Sequence, residues 1–279
     1  MRRAAAGAAG LMLLALMFAG MNVHSAPPDG TSRAPESARP VPPTTIEFAF
    51  GAPAFVPDSQ AARAGGAIVI GAEANREARP LVVFLHGLNE AGPLHRELDV
   101  VARVAAKLVA DGTIVPLLVA APSQTRNASR PWDMWEAFEL GSFLAALEPA
   151  LDAAGAPRVD RARVVLVGHS GGGCNPKGSI LSPRGRSPAS AILAIDTCFD
   201  PKVAAALRDT PPSTHVWAYW QTTSWDRDTE GFRRAFLAPG DPPADRRAEK
   251  APIEGPGAHD AILPWALRRA LPLLLKPEA

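Results

Sequence analysis

Several patterns are missing from this sequence, and each absence removes a class of function. Opposite charges nearly cancel over the 279 residues, leaving a formal net charge of +1. No electrostatic footprint therefore points to nucleic acid or an acidic polymer as partner. Metal-ligand spacing, a phosphate-cradling glycine loop and a dinucleotide fingerprint are all lacking, so neither a metal nor an organic cofactor is expected. There is no internal repeat and no charge run long enough to act as an interaction tail. Cysteine is reduced to two residues, Cys174 and Cys198, and tyrosine to one.

The amino-terminal region reads as an address rather than as fold. Arg2 and Arg3 form a basic start, Leu11 to Phe18 an apolar segment, and small residues lie near Ser25 and Ala26; residues 1–26 thus have the composition of an export signal. Read as a retained anchor, the apolar stretch extends from Ala4 to Met21, about the minimum spanning length. The small residues and the polar, proline-rich run that follows favour cleavage. Residues 27–43 (PPDGTSRAPESARPVPP) have almost nothing to bury and read as a disordered linker. The folded domain is expected over 44–279, secreted or periplasmic, with no stable membrane insertion once the signal is removed.

Within that domain apolar segments alternate between two periods. Strands are expected over Thr44–Gly51, Ala67–Ala72, Leu81–Leu85, Thr113–Ala121, Val164–Val167, Ala189–Thr197 and His215–Gln221. Helices are expected over Ala102–Ala110, Trp135–Ala154, Pro201–Arg208, Glu230–Leu237 and Ile262–Leu275. Such alternation implies an α/β fold, doubly wound around a mostly parallel sheet with helices on both faces.

One stretch carries chemistry. Val164 to Val167 run directly into Gly168-His169-Ser170-Gly171-Gly172, a G-x-S-x-G pattern at the end of a buried strand. A serine on a sharp strand-to-helix turn sits in strained backbone geometry with its hydroxyl raised above the sheet edge. Residues two positions to either side must then be nearly free of side chain.

Three signatures occur in order: FLHG at Phe84–Gly87, GHSGG at Gly168–Gly172 and GAHD at Gly257–Asp260. On these the chain resembles the α/β-hydrolase superfamily of serine hydrolases, from Thr44 to Leu275. The resemblance implies an esterase-like enzyme of the carboxylesterase class that works through a Ser-His-Asp triad and an acyl-enzyme. Ser170 takes the place of the nucleophile and His259, before the last helix, that of the base. The acid is Asp226, in the loop after His215–Gln221, or alternatively Asp196, at the end of the strand following the elbow. The backbone amides of Leu88 and Gly171 take the place of the oxyanion hole. His86 has the place of a structural residue shaping the oxyanion loop, and His169 fills the variable position of the elbow.

The same likeness leaves a peptidase or amidase, or a catalytically silent binding domain, as alternative readings. In an exported chain Cys174 and Cys198 favour a disulfide over free thiols. Trp132, Trp220 and Trp225 are candidates to line the substrate mouth at the strand ends, or else ordinary core aromatics. If they line the mouth, the guest is a small aryl or sugar ester. No long apolar insertion resembles a lipase lid, which argues against bulk lipid. Asn175–Pro188 is poorly helical where the family keeps a helix.

Overall fold

The structure is a computed structural model and describes residues 44–50, 64–71, 76–88, 94–123, 134–184, 189–222, 228–237 and 245–277. Residues 1–26 and 27–43 lie outside the described residues, and with them the signal and the linker.

Eight strands form one sheet. They are β1 (Thr45–Ala49), β2 (Ala64–Ile70), β3 (Arg79–Leu85), β4 (Leu117–Pro122), β5 (Val159–His169), β6 (Ala191–Ile195), β7 (His215–Trp220) and β8 (Arg246–Lys250). Their order is β1-β2-β4-β3-β5-β6-β7-β8. β2 runs antiparallel to β1 and β4, and every other pairing is parallel. This is an α/β-hydrolase-type fold, the class expected from the sequence.

Burial on both faces explains why the central strands read as continuous apolar runs rather than alternating ones. Along β5, Val164 and Leu166 face one core while Val165 and Val167 face the other. The first core is closed by α2 (Leu140–Ala153), α3 (Pro201–Arg208) and α4 (Thr229–Phe236), through Phe143, Leu147, Leu207 and Phe232. The second is closed by α1 (Arg96–Ala110) and α5 (Ala258–Leu274), through Leu98, Val101, Ile262 and Leu267.

Register then places the chemistry. Leu85 of β3 lies beside Gly168 of β5, and His169 of β5 beside Ile195 of β6. Parallel neighbours end at the same edge, so His86–Leu88, Ser170 and Asp196 emerge side by side at the carboxyl end of the sheet.

Several elements depart from their sequence reading. β2 begins at Ala64, ahead of the expected start at Ala67, and takes in Gly65 and Gly66; the Phe48 ring of β1 covers Gly65, where a Cβ would lie 2.3 Å from Phe48 Cζ. β8 (RRAEK) is an edge strand of charged residues and carries no apolar signal. The elbow is not followed by an α-helix. Two 3₁₀ helices, Ser170–Gly173 and Ser179–Arg184, occupy that place. Three consecutive glycines and the prolines Pro176 and Pro183 disfavour longer helix there. α5 begins at Ala258, so His259 lies in its first turn rather than in a loop ahead of it.

Candidate active site

Ser170 has φ of 53°, a left-handed conformation that a side chain adopts at a cost of roughly 1–3 kcal/mol. The surrounding glycines are what let the turn close. A Cβ at Gly172 would lie 1.9 Å from the Leu85 carbonyl oxygen, and one at Gly168 would lie 2.6 Å from Ile180 Cγ2. At Gly87 a Cβ would meet Ser170 Oγ at 3.1 Å, so the loop after β3 passes directly against the serine.

That loop also brings the two expected amides together. A Cβ on Gly171 would lie 3.6 Å from the Leu88 nitrogen, and one on Gly87 3.7 Å from the Gly171 nitrogen. The loop is fixed by hydrogen bonds on each side. Trp135 Nε1 donates to the His86 carbonyl at 3.0 Å, and Gly87 N–H donates to Glu97 Oε2 at 3.3 Å. His86 Nδ1 lies 2.7 Å from the Gly87 carbonyl oxygen. That carbonyl shares a peptide plane with the Leu88 N–H, so holding one orients the other.

The carboxylate that meets His259 is Asp196. Its Oδ2 lies 2.5 Å from His259 Nδ1 and also accepts from Gln221 Nε2 at 2.9 Å. Asp196 is buried and has φ of 46°, so left-handed residues stand at the ends of both β5 and β6. The first-ranked acid, Asp226, lies outside the described residues, as do Trp132 and Trp225. Trp220 ends β7 at the same sheet edge; it is 3% exposed, with its ring centroid 6.0 Å from that of Phe199. It packs there as a core residue.

His169, read from sequence as a filler of the elbow, is the hub of a second cluster. It is buried, and its ring stacks on His259 with centroids 4.7 Å apart. Its Nδ1 lies 3.1 Å from Glu97 Oε1 and its Nε2 3.0 Å from the His259 carbonyl oxygen. Burial presses the His169 pKa down, but the Glu97 charge and hydrogen bond, the His259 carbonyl and Asp196 outweigh it, and the net shift is upward. Burial likewise opposes ionisation of Glu97, yet His169, His86 and the Gly87 amide bring its pKa down to about 2. His95 is driven the other way, to about 3, by burial and by His86 against the pull of Glu97. Its ring caps α1 by accepting from Leu98 N–H at 3.2 Å.

Glu97 and Gln221 were invisible in the sequence. An acid in the first turn of a helix ordinarily complements the helix dipole in solvent. A glutamine at a strand end carries no signal of its own.

Cys174 and Cys198 form a disulfide with Cα atoms 4.6 Å apart. It joins the turn after Ser170 to the segment two residues beyond Asp196. Among the described residues no group of three or more His, Cys, Asp or Glu is arranged to hold a metal, and no helix is long and apolar enough to cross a membrane.

No family model matches this chain, and no curated protein does. Solved structures share its fold. A ferulic acid esterase superposes with a TM-score of 0.59 at 14% identity, over 84% of this chain and 97% of that one. A feruloyl esterase module from Clostridium thermocellum, in complex with sinapinate, gives 0.60 at 11% identity, over 88% and 95%. Fluorophosphonate-binding serine hydrolase F of Staphylococcus aureus gives 0.54 at 12% identity, over 85% and 100%.

Proposed function

We propose that this protein is an exported serine hydrolase that cleaves small carboxylic esters through an acyl-enzyme. The observation that carries the reading is the hydrogen bond between Asp196 and His259, at the sheet edge where the loop that bears Leu88 passes against Ser170 and Gly171.

In this reaction Asp196 holds the Nδ1–H tautomer of His259 and turns its Nε2 toward the serine hydroxyl. Ser170 Oγ attacks the ester carbonyl carbon as His259 takes its proton. Negative charge gathers on the carbonyl oxygen, where the Leu88 and Gly171 N–H groups receive it. His259 returns the proton to the departing alcohol, leaving the acyl group on Ser170. Water then repeats the sequence and releases the acid. Asp196, the alternative acid in the sequence reading, takes the role in place of Asp226.

The similar structures named above include a ferulic acid esterase and a feruloyl esterase module. Aryl esters are therefore the first substrates to try. Export is supported by the Cys174–Cys198 bridge, which needs an oxidising compartment to persist, and by the signal-like residues 1–26.

A fluorophosphonate probe tests the nucleophile. The expected result is a single adduct on Ser170 that disappears in Ser170→Ala together with hydrolysis of p-nitrophenyl and feruloyl esters. Folded protein that takes no label and turns over no ester would remove the proposal.

A further inference from the structure

The serine, the oxyanion loop and the base come from three separate segments, and one side chain outside the triad is linked to all three, directly or through His169. Glu97 Oε2 accepts the N–H of Gly87, one residue before the Leu88 donor. Glu97 Oε1 meets Nδ1 of His169, the residue directly before Ser170. The far nitrogen of that ring meets the peptide carbonyl of His259, the residue that bears the base. Both nitrogens of His169 thus face oxygen acceptors, an arrangement that the doubly protonated ring satisfies in full.

We propose that Glu97 is the positioning residue of this site: its two oxygens, one acting directly and one through His169, hold the oxyanion loop, the nucleophile turn and the first turn of α5, which bears the base, in a common register. The inference rests on the serine-hydrolase reading above and adds to it a residue that touches neither substrate nor reacting atoms.

The Glu97 carboxylate is turned into the site, where both its oxygens are engaged. Glu97 belongs to the first turn of α1, yet it is buried at 8% exposure, where a surface acid complementing the helix dipole would point outward. The charged and titratable groups around the pair come from every neighbouring element. They are His86 after β3, His95 at the start of α1, Asp196 after β6 and His259 in α5. Among these Glu97 is the acid with an oxygen on the oxyanion loop, whereas Asp196 is bonded to the base itself.

Steady-state hydrolysis of a p-nitrophenyl ester, with active sites counted by exhaustive fluorophosphonate labelling, separates positioning from folding. Glu97→Leu is expected to lower kcat per labelled site by about 10²-fold with KM changed by less than about threefold, the scale of a misplacement near 1 Å. Glu97→Gln can still accept from Gly87 with its oxygen and donate to a neutral His169, whose Nε2–H keeps the His259 carbonyl. It is expected to restore kcat to within about tenfold of wild type. His169→Phe keeps the ring and its stack while removing both donors, and supplies the same loss should Glu97→Leu not accumulate as folded protein.

A Glu97→Leu or His169→Phe enzyme with wild-type kcat per labelled site would overturn the inference, leaving Glu97 a matter of stability alone. So would a Glu97→Gln enzyme as slow as Glu97→Leu, since the bonds would then be irrelevant. Wild-type protein that neither labels nor hydrolyses would instead strike the serine-hydrolase reading, so the two failures are told apart by the unmutated chain.

Discussion

Asp196 Oδ2 lies 2.5 Å from His259 Nδ1, across 63 residues of chain, and Gln221 donates to the same oxygen. The pairing makes the choice of acid testable. Asp196→Asn presents an amide to His259 and favours the wrong imidazole tautomer. It should lower kcat by about 10²–10⁴ while leaving Ser170 in place, in line with acid-to-amide changes in Ser-His-Asp triads. Asp226→Asn should keep most activity. Stopped-time assays of both variants on one p-nitrophenyl ester decide between them, and the reverse ranking would return the role to Asp226.

The glycines of the elbow make a second prediction, this one about stability. A Cβ on Gly172 falls 1.9 Å from the Leu85 carbonyl oxygen, a rigid backbone atom that cannot step aside as a flexible side chain would. Gly172→Ala should cost at least about 3 kcal/mol, the upper part of the range for overpacking. Thermal and denaturant unfolding of the variant would show a clear fall in midpoint. An unchanged midpoint would mean that the turn is not closed as described.

These two sites also show how far the sequence could be read. The strand-glycine-serine run was legible because β5 is apolar on both faces and the turn tolerates only glycine at Gly168 and Gly172, so period and composition reported geometry directly. The acid was not. Asp196 and Asp226 both follow apolar strands, and only register, with His169 of β5 beside Ile195 of β6, places Asp196 next to the serine. β8 went unread because an edge strand of Arg, Glu and Lys owes its order to backbone pairing with β7 rather than to burial. Glu97 was hidden by a local rule that fits it equally well, since acids are favoured in first turns wherever they point.

The Cys174–Cys198 bridge closes a loop with a sequence separation of 24 and joins the turn after Ser170 to the segment after Asp196. Restricting that loop in the unfolded chain stabilises the native state by about 3 kcal/mol. The double variant Cys174→Ser, Cys198→Ser should lose about that amount in denaturant titrations. Wild-type protein treated with reductant should behave the same way. Non-reducing peptide mapping should recover the linked pair, and two free thiols in protein prepared without reductant would count against it.

The Glu97–His169 pair makes stability depend on pH in a defined direction. Folding raises the His169 pKa above its usual 6.5, so the native state holds that proton more tightly. This stabilisation is complete below about pH 6.5 and fades as pH climbs through the folded value. Folding lowers the Glu97 pKa from 4.5 to about 2. Its contribution is complete above about pH 4.5 and fades as pH falls toward 2. Both are present together between about pH 4.5 and 6.5, the window set by the two unfolded values. The gap in unfolding free energy between wild type and Glu97→Gln should therefore be widest inside that window and narrow on either side, as followed by denaturant titration across the acid and neutral range. A gap that stays constant with pH would show that the two side chains do not fold as an ion pair.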